Sequence, residues 1–214
     1  MIDNCYSYTQ AELTLVETKK ASVNFNGQSW SDDDLSEVKS NIKQFYILEQ
    51  IYTCPYCNQE IRSRNGRLWD IEHIIARDSE INFMFEPLNL CVTCPDCNLR
   101  KGNKKVTNSQ ARVRLPSNSE SYLIIHPHFD TYEEHIEVIK AGAFYIAKTP
   151  KGEKTIEICG LNRFYEFAGY DETVSTDNRI LQLATSLSTC STDEEKTYIR
   201  RQIAALSIES NLRD

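Results

Sequence analysis

Four cysteines with two short spacings have the chemistry and pattern of metal ligands. Cys54 and Cys57 are separated by two residues, as are Cys94 and Cys97, and a proline follows the first cysteine of each pair. Two intervening residues let a tight turn aim both sulfurs at one tetrahedral ion, and paired motifs of this kind are typical of zinc sites. We therefore predict that these four thiolates bind one structural Zn²⁺. Cys91, three residues before Cys94, is an alternative ligand.

Between the two cysteine pairs, an acid and an imidazole stand side by side in the run Asp70-Ile71-Glu72-His73. An imidazole is an effective general base near neutral pH, and a carboxylate is a preferred ligand of hard cations such as Mg²⁺. Alternation along this run predicts a β-strand, on which Glu72 and His73 point to opposite faces unless the chain twists or bulges. The run therefore places a carboxylate and an imidazole next to each other on one short element.

The elements around this run are predicted from the same segment. Residues 88–93 read as a second short strand, and the residues after Pro95 read as a short helix that Gly102 ends. The predicted order is strand, loop, strand, helix. The proposed zinc site would connect the segment before the first strand to the start of the helix.

This combination of motifs resembles the zinc-containing branch of the HNH nucleases. The resemblance rests on Cys-Pro-Tyr-Cys, Asp-Ile-Glu-His-Ile-Ile, Asn-Leu and Cys-Pro-Asp-Cys-Asn-Leu-Arg-Lys-Gly, within residues 54–102. It implies a ββα-metal fold and cleavage of phosphodiester bonds with one divalent cation, Mg²⁺ or Mn²⁺.

The resemblance also implies roles for individual residues. His73 would be the general base, and Asn89 would hold the loop and orient that base. Glu72 and Asn98 would bind the catalytic cation. Asp70 stands where many members have histidine, and Ala76 where many have proline, so a ligand role for Asp70 stays open.

Charge along the chain is uneven. The net charge is −7, yet residues 51–115 carry ten basic and seven acidic side chains, and residues 98–114 carry six basic side chains and no acid. A local basic stripe matters more than total charge for binding a phosphate backbone. We predict nucleic-acid contacts from the basic residues that begin this stripe, which are Arg100, Lys101, Lys104 and Lys105.

The flanks predict an α+β protein with additional elements on both sides of the nuclease core. An N-terminal flank, residues 1–52, would contain an amphipathic helix of about 15 residues that begins at the acidic run after Ser31. The zinc-containing core would span residues 53–106. An extension over residues 107–170 would hold a hairpin of strands 135–139 and 143–147, the apolar run 155–159 and a helix from Leu161. Residues 171–214 would hold two amphipathic helices, 178–187 and 192–208.

These observations favour a DNA endonuclease, with three alternatives. The same site could cut RNA; the zinc could support binding without catalysis; or the chain could be a subunit controlled by an ATPase. The order of elements over residues 123–163 is similar to the HNH subunits of Septu-type anti-phage systems, which implies an ATPase partner. No apolar run is long enough to span a membrane, and no secretion signal begins the sequence, so we expect a cytoplasmic protein. No segment indicates the oligomeric state.

Overall fold

The structure is a computed structural model that describes residues 2–164, 175–190 and 192–211. The chain divides into two compact units, residues 1–162 and residues 163–214. The predicted extension over residues 107–170 crosses this division. Among the described residues, no helix has both the length and the apolar character needed to cross a membrane.

The first unit contains five α-helices and four strands among its described residues. The helices are α1 (Gln10–Lys20), α2 (Ser36–Glu49), α3 (Pro95–Lys101), α4 (Tyr132–His135) and α5 (Pro150–Cys159), and the strands are β1 (Asp70–His73), β2 (Leu90–Thr93), β3 (Ile136–Lys140) and β4 (Phe144–Ala147). Short 3-10 turns connect them. This mixture of helices and small sheets is the predicted α+β class.

The centre of the first unit is the antiparallel hairpin of β1 and β2. Its register places Asp70 opposite Thr93 and His73 opposite Leu90. Helix α2 packs on both strands, and α3 packs on β1. Leu35, Ile42, Tyr46 and Ile47 of the α2 region are fully buried, so burial of this apolar stripe fixes α2 against the hairpin. The predicted strand, loop, strand, helix order is confirmed.

The start of α2 differs from the prediction. The acidic run forms a 3-10 turn, Asp33–Leu35, and α2 begins only at Ser36, without a side-chain cap. The reason is a tertiary contact, because Lys19 of α1 lies 2.8 Å from both Asp32 and Asp34. These acids are therefore bound to α1 instead of capping α2.

The extension after α3 also follows the predicted order in part. Strands β3 and β4 form the predicted antiparallel hairpin. The apolar run at 155–159 is the end of α5, which begins at Pro150 after a Thr149 cap. The segment from Leu161 is a 3-10 turn, Leu161–Phe164, and the rest of the helix predicted there lies outside the described residues.

The second unit contains the two predicted C-terminal helices, α6 (Thr176–Thr189) and α7 (Asp193–Asn211). The Ser175 side chain accepts a hydrogen bond from the backbone N–H of Asn178 and so caps α6. The two helices pack on each other.

Gln50 joins the end of α2 to β2 through buried hydrogen bonds. Its Nε2 donates to the Val92 carbonyl at 2.7 Å, and its Oε1 accepts from the Val92 N–H at 2.8 Å. The side-chain amide therefore pairs with β2 as a neighbouring strand would. Because both backbone groups of Val92 depend on this one amide, the contact holds α2 in register with the hairpin.

Replacing Gln50 with alanine is expected to lower the free energy of unfolding by about 2–4 kcal/mol, since two buried backbone groups lose their partners. Chemical denaturation followed by circular dichroism measures this. Gln28→Ala, at an exposed position, serves as the control and should change stability by less than about 0.5 kcal/mol. Equal effects of the two substitutions would contradict the proposed role of Gln50.

Candidate nuclease site

The four predicted cysteines form a zinc-binding cluster. Their sulfurs all lie within 4.8 Å of one another, and all four residues are buried. The Sγ atoms of Cys57 and Cys94 are 3.8 Å apart. Since a Zn–S bond is about 2.3 Å, two sulfurs at corners of a tetrahedron around zinc are about 3.8 Å apart. The donor set therefore fits zinc, and Cys91 lies outside the cluster.

Local backbone structure explains how the two cysteine pairs converge. The first pair sits in a tight turn in which the Asn58 N–H donates to the Cys54 carbonyl at 2.8 Å, with Asn58 in the left-handed region at φ 51°. Asparagine tolerates this conformation better than most residues. In the second pair, Cys94 caps α3, and its Sγ accepts from the Cys97 N–H at 3.5 Å.

His73 at the end of β1 is oriented by one hydrogen bond. Its Nε2 lies 3.1 Å from the carbonyl oxygen of Met84. Because a carbonyl only accepts, Nε2 carries the proton and Nδ1 has the free lone pair. Among the described residues Nδ1 has no hydrogen-bond partner. Nδ1 is therefore the ring nitrogen that can accept a proton.

The surroundings of His73 keep the ring neutral. Burial, with smaller contributions from the positive charges of Arg77 and Lys101, lowers the pKa of His73 to about 3. The Trp30 ring meets the imidazole edge-on, with ring centroids 4.5 Å apart. A neutral imidazole with one fixed tautomer is the form that can accept a proton.

Asn89 holds the loop that follows β1. Its Oδ1 accepts from the Ile75 N–H at 2.7 Å, and its Nδ2 donates to the carbonyls of Ile75 and Phe83, each at 3.0 Å. Asn89 is fully buried. Because Met84 follows Phe83 directly, this amide also fixes the backbone that orients His73.

Two side-chain pairs connect β1 to α3. The Asn98 Nδ2 donates to the Asp70 Oδ2 at 2.9 Å, and the Lys101 Nζ lies 2.5 Å from the Glu72 Oε1. Residues two apart on a strand share a face, and residues three apart on a helix do so as well. Strand and helix periodicity therefore bring the two acids of β1 to Asn98 and Lys101.

Glu72 is almost fully buried, and its side chain is only 3% exposed. Burial raises its pKa to about 7, although the neighbouring Lys101 favours the charged form. Lys101 also donates to the carbonyl of His73 at 3.0 Å. Within the described residues Oε2 of Glu72 makes no hydrogen bond, and it is not among the enclosed atoms without a partner. One carboxylate oxygen therefore stays available.

Asn98 is partly exposed and has its amide oxygen free. The bond to Asp70 uses Nδ2, and no described group donates to Oδ1. Asn98 lines a cleft of about 590 Å³. The lining comes from β1, α3, one face of α2 and two 3-10 turns: Trp30, Ser36, Lys39, Ser40, Lys43, Gln44, Gly66, Asp70, Ile71 and Asn98.

The predicted basic residues do not share one surface. Lys101 is only 1% exposed and points at Glu72. Arg100 and Lys105 are exposed, and the Lys104 Nζ donates to the Ile158 carbonyl at 2.9 Å. Because α3 packs one face on β1, the helix turns Lys101 inward and leaves Arg100 exposed, whereas Lys104 and Lys105 follow the end of the helix.

The sequence analysis did not identify the α2 residues that line the cleft, because it considered only the apolar face of this helix. The signal that could have found them is the pair Lys39 and Lys43, four residues apart on the polar face of an acidic segment.

Comparison with known proteins identifies the core. Residues 54–104 match the family model described as HNH endonuclease. No curated protein and no solved structure matches the chain. The matched segment covers about a quarter of the 214 residues and contains the cysteine cluster, β1, β2 and α3. Residues 54–104 are therefore similar to an HNH endonuclease domain. This similarity supports nuclease activity, with nucleic acid as the substrate.

Proposed function

We propose that this protein is an endonuclease that hydrolyses phosphodiester bonds, with DNA as the favoured substrate, one divalent cation as cofactor and His73 as general base. One observation carries the proposal. In the matched segment, the described contacts of His73, Glu72 and Asn98 use Nε2, Oε1 and Nδ2, and they leave Nδ1, Oε2 and Oδ1 without a described hydrogen-bond partner. These three atoms belong to the predicted base and the two predicted cation ligands.

The donor set suits a hard cation. Mg²⁺ and Mn²⁺ prefer oxygen ligands, and Mg²⁺ commonly uses one or two protein oxygens together with water and substrate phosphate. A carboxylate oxygen from Glu72 and an amide oxygen from Asn98 meet this requirement. When bound, such an ion supplies Lewis-acid stabilisation of charge on the phosphate. Asp70 would position Asn98 by holding its Nδ2, which leaves Oδ1 for the ion.

The protein residues carry the proton chemistry. Nδ1 of His73 takes a proton from water as the water oxygen bonds to phosphorus, and the bond from phosphorus to the leaving oxygen breaks. The leaving oxygen then takes a proton from solvent. The Met84 carbonyl holds the ring throughout and stabilises the imidazolium that forms. Because the nucleophile is external water, the reaction needs no 2′-hydroxyl, which makes DNA a competent substrate.

Nicking of supercoiled plasmid tests the proposal. Zinc-loaded full-length protein is expected to convert supercoiled DNA to the open circular form with Mg²⁺ or Mn²⁺, and omission of both cations should abolish this. If the protein cleaved an RNA of matched length but not DNA, the substrate would be RNA. Absence of cleavage on both nucleic acids would contradict an autonomous nuclease.

Cation binding separates the roles of the two acids on β1. Glu72→Gln and Asn98→Ala are each expected to weaken Mn²⁺ binding, measured by electron paramagnetic resonance, by about 10–100-fold. Asp70→Asn should retain binding within a few-fold, since an amide oxygen can still accept from Asn98. Loss of Mn²⁺ binding in Asp70→Asn but not in Glu72→Gln would instead make Asp70 the ligand. Retained zinc content and circular dichroism establish that each variant is folded.

We also propose a role in anti-phage defence with an ATPase partner. The support is the order of elements after the core, in which the β3–β4 hairpin precedes a helix and the Leu161–Phe164 turn. Co-expression with a neighbouring ATPase gene, followed by affinity purification, tests it. Failure of the two chains to co-purify would leave the nuclease proposal intact and remove the partner.

A further inference from the structure

Helix α2 forms one wall of the cleft that contains Asp70 and Asn98. Five of its residues line the cleft: Ser36, Lys39, Ser40, Lys43 and Gln44. The spacings of three and four place them on one face of the helix. This face lies outside the matched segment, residues 54–104, so the nuclease motif does not account for it.

Both lysines of this face are held by backbone carbonyls. The Lys39 Nζ donates to the carbonyls of Trp30 and Asp32 at 3.0 and 3.2 Å. The Lys43 Nζ donates to the carbonyls of Gly66 and Trp69 at 3.0 and 2.8 Å. An ammonium has three donors, so each lysine keeps one N–H for a further acceptor. The two cations are thus fixed in place before any ligand binds.

Neither lysine has a carboxylate partner. No ion pair within 4.0 Å involves Lys39 or Lys43 among the described residues. The nearby acids Asp32 and Asp34 are paired with Lys19, and Asp70 in the cleft accepts from Asn98. Carbonyl oxygens orient an ammonium but do not cancel its charge. The α2 wall therefore presents two positive charges, and Asp70 is the carboxylate among the described residues that line the cleft, so the lining is positive by one charge in a chain whose net charge is −7.

The remaining lining residues fit a nucleic-acid strand. Hydroxyl and amide donors, such as those of Ser36, Ser40 and Gln44, commonly bind phosphate oxygens. Trp30 and Ile71 supply apolar surface against which a base or sugar can pack. The cleft volume, about 590 Å³, lies within the usual range for ligand sites.

We infer that this face of α2 binds the phosphate backbone of the substrate strand, with Lys39 and Lys43 as the two phosphate contacts. The inference rests on the proposed nuclease function and names the surface that holds the substrate. The lysines act in binding, and they do not take part in proton transfer.

The salt dependence of binding tests this inference. The full-length, zinc-loaded protein is titrated onto a fluorescein-labelled 30-base-pair DNA without added Mg²⁺ or Mn²⁺, and anisotropy gives the binding constant at several NaCl concentrations. Each phosphate contact contributes about 0.9 to the slope of log K against log salt concentration. The double variant Lys39→Gln, Lys43→Gln should reduce the slope by about 1.8. The double variant with arginines at both positions should keep it.

Two lysines outside the cleft provide the matched control. Lys20 and Lys148 are exposed, and the Lys148 Nζ donates to the Glu133 carbonyl at 3.0 Å, so their removal takes away the same charge. The double variant Lys20→Gln, Lys148→Gln should change the slope by less than about 0.3, well under one phosphate contact. If the slope fell equally in both double variants, the result would overturn the inference, because it would indicate a general effect of charge.

The outcomes separate this inference from the proposed function. If the parent protein binds and cleaves DNA while the α2 variant keeps its slope, the inference fails and the nuclease proposal stands. If the parent binds neither DNA nor RNA, both fail. Acetylation footprinting of the unmodified protein avoids any folding defect of the variants. DNA should protect Lys39 and Lys43 but not Lys148, and absence of protection at the two α2 lysines would overturn the inference.

Discussion

Replacing His73 with alanine is expected to reduce the rate of DNA cleavage by about 10²–10⁴-fold, the usual contribution of a general base. The substitution removes Nδ1, the atom that the Met84 carbonyl leaves free through its contact with Nε2. It does not change the predicted cation ligands or the lysines of α2. Binding of the 30-base-pair DNA without added Mg²⁺ or Mn²⁺ should therefore stay within a few-fold of the parent. Plasmid nicking under single-turnover conditions measures the loss.

Two controls separate the chemical role of His73 from a structural one. His135→Ala removes a histidine whose Nδ1 contacts the Thr149 hydroxyl, outside the cleft, and it should cleave at the parental rate. His73→Gln keeps a polar group on β1 without a comparable base, and it should be as slow as His73→Ala. Parental cleavage by His73→Gln, with the zinc retained, would exclude His73 as the base.

Much of the core could be predicted from the sequence because local rules and tertiary packing agree there. Alternation at Asp70-Ile71-Glu72-His73 predicts a strand, and β1 has these bounds. The spacing of the cysteine pairs predicts a four-thiolate site, and the sulfurs converge as one cluster. Tetrahedral coordination requires four donors at fixed distances, so the spacing of the cysteines along the chain is enough to predict that they share one ion.

Other features depend on contacts that no local pattern encodes. Helix α1 buries only Glu12 and Val16, so its sequence lacks the helical repeat of apolar residues from which the helix could be predicted. The burial of Lys101 follows from the packing of α3 on β1, whereas a count of charges places it on a basic surface. The cleft wall on α2 forms because α2, which is distant in sequence from β1, packs against it. Sequence reasoning indicated the candidate base and cation ligands, but it did not indicate the face of α2 that lines the cleft.

Zinc removal is expected to unfold the first unit, or at least its β1–β2 core. Structural zinc contributes about 10–16 kcal/mol in small peptide systems, which equals or exceeds the total stability of about 5–15 kcal/mol typical of a domain. The cluster joins the turn after α2 to the start of α3, so its loss frees both ends of the hairpin. Cys94→Ser should abolish stoichiometric zinc, measured by mass spectrometry of metals, and lower the melting temperature by more than 10 °C.

Cys91→Ser distinguishes a ligand from a buried thiol. Cys91 is fully buried but lies outside the cluster, so this variant should retain one zinc per chain and lose at most about 1–3 kcal/mol through an added buried hydroxyl. Loss of zinc in Cys91→Ser, with retention in Cys94→Ser, would reassign the fourth ligand. Because Asn98 directly follows Cys97 in the chain, loss of zinc also releases a predicted cation ligand. Mn²⁺ binding should therefore disappear with the zinc in Cys94→Ser and persist in Cys91→Ser, which makes the structural metal a precondition for the catalytic one.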